Sequence, residues 1–232
     1  MRRTITPPLG IAANTLRTAA RIIIVGAGGF GREVLQWARD SWPDQAGRIC
    51  GFLSADRDIL AESDCDIPVV GDPAAYEPAP GDGLILAIGI PVVRRRVAET
   101  LLARGARFLT LIHPTAIVAG TASIGTGSVV CPYAIISDAA RVGRFGLVNY
   151  HASLAHDATA GDFAVLSPYA TLAGGARVGD DAFLALHASV GPRTSVGSRS
   201  KVAANSCALA DVPPDSLVHG VPGRVGPLLS AS

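Results

Sequence analysis

An aliphatic residue recurs at every sixth position between Ile112 and Ala208, without interruption. The column consists of Ile112, Val118, Ile124, Val130, Ile136, Val142, Val148, Leu154, Ala160, Leu166, Leu172, Val178, Leu184, Val190, Val196, Val202 and Ala208. A second column, four residues further on, holds only Ala, Ser, Gly and Thr from Ala122 to Ser206. A period of six matches neither the helical period of 3.6 nor the strand period of 2.

This period is the signature of a parallel β-helix, in which each six-residue unit forms one side of a prism. We expect the aliphatic column to point inward and the small residues to fit the tight corners. Three units make one coil, so equivalent residues of successive coils should stack about 4.8 Å apart. The pattern therefore predicts an uninterrupted prism.

The segment before the prism begins with a strand, a glycine-rich turn and a helix. Arg21–Val25 reads as a buried strand, the turn GAGGFG occupies residues 26–31, and a helical pattern covers residues 32–39. Glycines in this context let the backbone approach a phosphate group at a helix N-terminus. The turn therefore predicts binding of a nucleotide or a nucleotide-linked sugar.

The remaining front segment is too short for a complete dinucleotide-binding fold, which needs two mononucleotide halves. Further strands are predicted at residues 49–53, 68–70 and 84–89, and a second helix at residues 92–104. An NAD site would also require an acidic residue at the end of the second strand. Ser54 stands there, and the nearest acid is Asp56. An NAD-dependent oxidoreductase is therefore a weak alternative.

These patterns divide the chain into four parts. We expect a flexible leader over residues 1–20, an α/β half-Rossmann domain over residues 21–110 and the β-helix over residues 111–210. Residues 211–232 should form a tail that runs back along the prism and packs on it, because prolines end the last coil.

Charge and cysteine content exclude several classes of partner. The net charge of +1 gives no electrostatic reason to expect nucleic acid or a membrane surface. The sequence contains no long uncharged apolar window, so we expect no membrane span. The four cysteines are far apart and lack metal-ligand spacing with histidine. These features predict a cytoplasmic protein without a metal.

His156 is the candidate catalytic base. Asp157 is its neighbour, Asp138 lies one coil below, and Gly174 lies one coil above, followed by Gly175. Either aspartate could orient the imidazole, and the Gly174 N–H could face a developing oxyanion. This arrangement suits acyl transfer, although a plain solvated histidine is the alternative. The other histidines are interpreted as structural or surface residues: His113, His151, His187 and His219.

Four segments together give the chain a family resemblance over residues 21–226. They are the glycine turn, the AIG segment ending at Gly89 and followed by Arg94, the His156–Asp157 pair before a Gly-Asp-Phe segment, and the closing GVPGR segment. The chain resembles the left-handed β-helix acyltransferases that modify nucleotide-linked sugars. That group includes amino-sugar N-acetyltransferases and sialic acid O-acetyltransferases.

The resemblance implies a homotrimer that holds acetyl-CoA between neighbouring prisms and the nucleotide-sugar against the front domain. It implies catalytic roles for His156, Asp157, Asp138 and Gly174. It places the coenzyme along Ala173, Gly174, Gly175, Ala185, Ala203 and Arg224. It places the nucleotide-sugar on Gly26, Gly28, Gly29, Phe30, Gly31, Ser54, Asp56 and Gly89.

The chain departs from the family pattern in three places. Many relatives have His where Phe30 stands, polar residues where Ile90 and Pro91 stand, and a second histidine where Val165 stands.

We expect acetyl-CoA-dependent N-acetylation of a nucleotide-linked 4-amino-deoxy sugar, in the synthesis of a surface glycan precursor. O-acetylation of a sialic acid or related sugar is the alternative reaction. A non-catalytic nucleotide-sugar-binding β-helix is the alternative of another class.

Overall fold

The computed structural model describes residues 19–227, so the leader predicted over residues 1–20 lies almost wholly outside the described residues. The front domain is a parallel sheet with strand order β3-β2-β1-β4. Its strands are β1 (Arg21–Val25), β2 (Ile49–Leu53), β3 (Val69–Gly71) and β4 (Asp82–Leu86). Its helices are α1 (Gly29–Ser41), α2 (Pro91–Ala103) and a short 3-10 helix (Pro43–Arg48).

Helix α1 and strand β4 differ most from their predicted bounds, whereas β3 and α2 are displaced by one residue. Helix α1 begins at Gly29, inside the glycine turn, rather than at residue 32. Strand β4 ends at Leu86 rather than at Gly89, because its partner β1 ends opposite it at Val25 and the chain then turns at Gly26. Gly89 therefore lies in a loop beyond the carboxyl edge of the sheet.

The second domain is a three-sided prism, and the left-handed parallel β-helix predicted for it is confirmed. The five-stranded face contains β7 (Ser123–Ile124), β10 (Arg141–Val142), β13 (Thr159–Ala160), β16 (Arg177–Val178) and β19 (Ser195–Val196). The six-stranded face contains β6 (Ile117–Val118), β9 (Ile135–Ile136), β12 (Ser153–Leu154), β15 (Thr171–Leu172), β18 (Ser189–Val190) and β21 (Cys207–Ala208). The eight-stranded face contains β5 (Leu111–Ile112), β8 (Val129–Val130), β11 (Leu147–Val148), β14 (Val165–Leu166), β17 (Phe183–Leu184), β20 (Lys201–Val202), β22 (Ser216–His219) and β23 (Arg224–Pro227).

Each two-residue strand of the prism ends on a member of the aliphatic column. Leu154 pairs with Ile136 below and Leu172 above, so residues of successive coils stack as predicted. The small column is buried as well, with Ala152 and Ala170 fully inside. Both columns together form one continuous core.

The corners have a backbone geometry that the sequence pattern does not reveal. From Gly127 to Asn205, the residue just before each small residue adopts a left-handed conformation, and most of these residues are not glycine, with φ between 53° and 63°. Its N–H donates to the coil below, as from Asp157 to the Asp138 carbonyl at 2.9 Å. Such corners direct their side chains outward in stacked rows along each edge of the prism.

The three edges carry different side chains. The histidine edge joins the six- and five-stranded faces and contains His156 and Asp157. The aromatic edge joins the eight- and six-stranded faces and contains the stacked rings of Tyr133, His151, Tyr169 and His187. The docking edge joins the five- and eight-stranded faces and contains Phe145, Phe163 and Asp181.

The front domain packs on the eight-stranded face and the docking edge. Outward residues of that face, including Val129 and Leu147, are buried in a cluster with the front domain. The fully buried Arg94 of α2 donates to the carbonyls of Leu86, Ile88, Phe145 and Gly146, at 2.9, 2.9, 2.7 and 3.4 Å. Burial lowers the pKa of Arg94 to about 9, which leaves the guanidinium protonated at neutral pH. Arg94 therefore joins the end of β4 to the prism.

The tail differs from the prediction that it runs back along the prism. Strand β22 pairs in parallel with β20 and so continues the eight-stranded face by one step. Strand β23 then pairs with β22 in an antiparallel hairpin. Backbone groups at the open end of the face are satisfied in this way. Within residues 19–227, no helix has the length and apolar character to cross a bilayer.

Candidate active site

His156 and Asp157 form a hydrogen-bonded pair on the histidine edge. The His156 Nδ1 lies 2.8 Å from the Asp157 Oδ2, and the two side chains are 68% and 67% exposed. Asp157 occupies a left-handed corner position with φ 61°. A carboxylate at Nδ1 fixes the tautomer that leaves Nε2 free to accept a proton.

Asp138 has a different partner. Its Oδ1 accepts a hydrogen bond of 2.5 Å from the Thr121 hydroxyl, one coil below. No hydrogen bond between His156 and Asp138 occurs in the described part of the chain. Of the two aspartates left open by the sequence, Asp157 is the one that contacts the imidazole.

Gly174 lies directly against the His156 ring. A Cβ atom added at Gly174 would sit 2.6 Å from the His156 Nε2 and 2.7 Å from its Cε1, so only glycine fits beside this ring position. Among the hydrogen bonds of residues 19–227, none uses the Gly174 N–H. The edge therefore presents a free proton acceptor beside a free backbone donor.

A cleft of about 540 Å³ surrounds this pair. It is lined by His156, Asp157, Gly174, Gly175, Arg177, Pro192, Arg193 and Ser195. The last four of these were missed by sequence reasoning. Counting along the six-residue repeat would have identified Pro192 and Arg193, which lie one coil above Gly174 and Gly175.

The residues predicted to contact the coenzyme fall into separate places. Ala173, Gly174 and Gly175 are on the histidine edge, whereas Ala185 and Ala203 follow strands β17 and β20 on the aromatic edge. Arg224 is exposed at the start of β23, in the terminal hairpin. One chain alone does not bring these groups together.

The glycine turn has the shape expected of a phosphate cradle. Gly26 has φ 110°, and a Cβ there would lie 2.6 Å from the Ala87 carbonyl oxygen. Gly31 packs still more tightly against the Gly26 carbonyl. Gly28, Gly29 and Gly89 face open space at the carboxyl edge of the sheet. The backbone around the N-terminus of α1 is therefore open to a ligand.

The other predicted substrate residues are structural neighbours of this turn. Phe30 packs edge-to-face on Trp37, with ring centroids 5.9 Å apart. The Ser54 hydroxyl accepts from the Asp56 N–H at 3.2 Å, and the Asp56 carboxylate accepts from the Asp58 N–H at 3.0 Å. The exposed Asp56 therefore lies in the turn that follows β2, as predicted from the order of the chain.

The two sites of one chain face different directions. The front domain covers the eight-stranded face, whereas the histidine edge is formed by the other two faces. Because the prism has three sides, His156 points away from the front domain of its own chain. Within the described residues, no group of three His, Cys, Asp or Glu side chains could hold a metal ion.

Comparison with known proteins agrees with both domains. Residues 21–101 match the family model of the PglD N-terminal domain. PerB from Caulobacter crescentus, solved with CoA and GDP-perosamine, is 29% identical, with a TM-score of 0.78 over 89% of this chain and 97% of that chain. The acetyltransferase domain of PglB from Neisseria gonorrhoeae is 28% identical, with a TM-score of 0.81 over 88% and 98%. WeeI from Acinetobacter baumannii is 25% identical, with a TM-score of 0.80 over 88% and 99%. No match among curated proteins is found.

The fold and these similarities support a hexapeptide-repeat β-helix acyltransferase with a Rossmann-like front domain. The family resemblance predicted from the sequence is confirmed. More particularly, the chain is similar to PerB and to the acetyltransferase domain of PglB, and its front domain matches the PglD N-terminal domain.

Proposed function

We propose that this protein transfers the acetyl group of acetyl-CoA to the amine of a nucleotide-linked 4-amino-deoxy sugar, during synthesis of a surface glycan precursor. The observation that carries the proposal is the free His156 Nε2 beside the free Gly174 N–H in one cleft. PerB was solved with CoA and GDP-perosamine, and the PglB domain was solved with acetyl coenzyme A. Those two ligand classes match the cleft and the glycine turn.

The mechanism is a direct attack on the thioester. The neutral amine adds its lone pair to the thioester carbonyl carbon, and its proton passes to the His156 Nε2. Asp157 stabilises the imidazolium through Nδ1, and the Gly174 N–H donates to the oxyanion. Collapse of the intermediate breaks the carbon–sulfur bond, and the thiolate takes the proton from His156. The products are the acetamido sugar and CoA with a free thiol.

A second copy of the chain is needed to complete this site. The histidine edge and the front domain of one chain lie on different sides of the prism, so the sugar bound to one front domain meets the histidine of another copy. Ala185 and Ala203 lie on the aromatic edge, beside the front domain, and Gly174 lies on the histidine edge. Juxtaposing these two edges unites the residues predicted for the coenzyme.

The six-stranded face supports a homotrimer. Its outward residues are uncharged: Ile117, Ile135, Ser153, Thr171, Ser189 and Cys207. Ile117 is 64% exposed and Ile135 is 42% exposed, whereas apolar residues on the eight-stranded face are covered. Three copies with this face toward a common axis place each histidine edge beside the aromatic edge of its neighbour. We place this enzyme in the cytoplasm, where acetyl-CoA and nucleotide-sugars are available and its four free cysteines stay reduced.

The test is acetyl-CoA-dependent thiol release from the full-length chain. UDP- and GDP-linked 4-amino-4,6-dideoxy sugars are compared with sialic acid and CMP-sialic acid. Turnover on an amino sugar that falls by about 10²–10⁴ in His156→Ala supports the proposal. His219→Ala, a change at an exposed histidine of the terminal hairpin, serves as the control. Turnover on sialic acid alone would establish O-acetylation, and binding without turnover on any of them would contradict catalysis.

A further inference from the structure

Two arginines without acidic partners border the cleft beside His156. Arg177 lies on the outer side of β16, and Arg193 occupies the corner one coil above Gly175. Within residues 19–227, neither guanidinium forms a salt bridge or a side-chain hydrogen bond. We propose that Arg177 and Arg193 bind the diphosphate of the nucleotide-sugar and so set the position of its amine at His156. This inference rests on the proposed function.

The charge of the cleft favours a dianionic ligand. Its lining has two guanidinium groups and a single carboxylate, Asp157, which is already paired with His156. A guanidinium presents donors in a planar fork that matches phosphate oxygens and forms short, charge-assisted hydrogen bonds. Ionised arginines left unpaired at the mouth of a cleft are therefore suited to a phosphate-bearing ligand.

The short distance from the base decides which substrate supplies the phosphate. Arg193 is one coil from Gly175, a step of about 4.8 Å, and its Cγ lies 3.3 Å from the place of a Gly175 Cβ. Arg177 follows Gly174 by three residues and pairs with Ser195, another residue of the cleft. The backbone of Arg177 is thus one coil above the coil of His156, and that of Arg193 is two coils above it.

In a nucleotide-linked 4-amino sugar, one hexose ring separates the amine from the diphosphate. In acetyl-CoA, the entire pantetheine arm separates the thioester from the pyrophosphate. A phosphate held by Arg177 or Arg193, one to two coils of about 4.8 Å each from His156, fits the first separation better than the second. The arginines therefore select the nucleotide-sugar rather than the coenzyme.

The proposal also gives each copy of the chain a part in binding the sugar. The glycine turn of one front domain offers backbone N–H groups to one side of the diphosphate, and the arginines of the neighbouring histidine edge contact the other side. Such a clamp orders the substrate only when both copies are present. Binding of the diphosphate between the two copies thereby aligns the amine with His156.

The experiment compares Arg177→Ala, Arg193→Ala and the double variant with wild type in the full-length protein. Alanine is compatible with the corner at position 193, because Ala139 occupies the same edge position with φ 53°. Arg141→Ala is the matched control, since Arg141 has the same outward position on the five-stranded face, two coils below Arg177, and does not border the cleft. Thermal unfolding confirms that each variant remains folded.

We expect the KM for the nucleotide-sugar to rise about tenfold or more for each single variant, the usual effect of losing a hydrogen bond to a charged group. The KM for acetyl-CoA should stay within about twofold, and inhibition by UDP or GDP should weaken in parallel with the nucleotide-sugar. Arg177→Lys should give an intermediate rise, because lysine keeps the charge and loses the fork.

A rise in the KM for acetyl-CoA with an unchanged KM for the nucleotide-sugar would overturn the assignment and leave the proposed function intact. Equal kinetics in Arg177→Ala and Arg141→Ala would overturn it as well. Should the wild type show no acetyl transfer, the proposed function fails. Calorimetric titration with UDP and GDP then still measures whether the two arginines bind the diphosphate. Equal affinities in wild type and the double variant would refute that binding.

Discussion

Replacing Gly174 with alanine separates the geometry of the transfer site from the stability of the prism. The added Cβ would lie 2.6 Å from the His156 Nε2. Non-bonded heavy atoms prefer separations of about 3.5–4.0 Å. The imidazole must therefore retreat by roughly 1 Å from its position beside the Gly174 N–H.

The imidazole can retreat because its side chain is 68% exposed, so the prism itself need not deform. The backbone of Gly174 is not in the left-handed region, unlike that of Gly175. Alanine at a compatible position stabilises by about 0.4–1 kcal/mol through the unfolded state. We expect the free energy of unfolding to stay within about 1 kcal/mol of wild type.

The rate should respond strongly. A displacement of about 1 Å at a catalytic group can lower turnover about 10²-fold. That factor corresponds to about 2.7 kcal/mol of transition-state stabilisation. The measurement is kcat at saturating acetyl-CoA and amino sugar, together with urea unfolding.

Gly143→Ala is the matched control on the docking edge. Its Cβ would lie 2.6 Å from the Asp162 nitrogen and from the Gly161 carbonyl carbon, which are backbone atoms of the coil above. We expect a loss of about 1–3 kcal/mol in unfolding free energy, as for an overpacked core, with kcat preserved in the folded fraction. A Gly174→Ala enzyme that keeps kcat within threefold would refute the placement of His156 and Gly174 in one reaction site.

Three further predictions address the aspartate, the domain contact and the shared site. Asp157→Asn should lower kcat by about 10²-fold with little change in stability, because asparagine tolerates the left-handed corner and loses only the charge that stabilises the imidazolium. Asp138→Asn is the comparison, and an equal loss of kcat in both variants would contradict the pairing of His156 with Asp157. Arg94→Met should lower the unfolding free energy by about 3 kcal/mol or more, since four carbonyl partners lose a buried donor; unchanged urea unfolding would show that Arg94 does not join the domains. Mixing His156→Ala chains with chains whose glycine turn is blocked by Gly31→Val should restore roughly a quarter of wild-type activity after reassembly. Each site then combines the histidine edge of one chain with the front domain of another at random, and both parts are intact in about a quarter of the sites. No recovery, with trimers shown by sedimentation, would mean that each site is built from one chain.

Much of the prism follows from the sequence because its repeat is local. Every six-residue unit buries one aliphatic and one small side chain, and stacking repeats the same choice in each coil. The positions of His156, Asp138 and Gly174 in one row follow from counting in sixes. The presence of α1 after the glycine turn likewise follows the order strand, glycine turn and helix, although the helix begins three residues earlier than predicted.

Tertiary structure decided which of these residues meet. The choice of Asp157 over Asp138 depends on corner dihedral angles and on the Thr121 hydroxyl, neither of which a repeat pattern specifies. The separation of Ala185 from Gly174 depends on which face each strand joins. The orientation of the front domain depends on long-range contacts such as Arg94 with Phe145. A repeat determines the prism because neighbouring coils impose the same local rule, whereas a site at an edge is set by side-chain directions and contacts between distant segments.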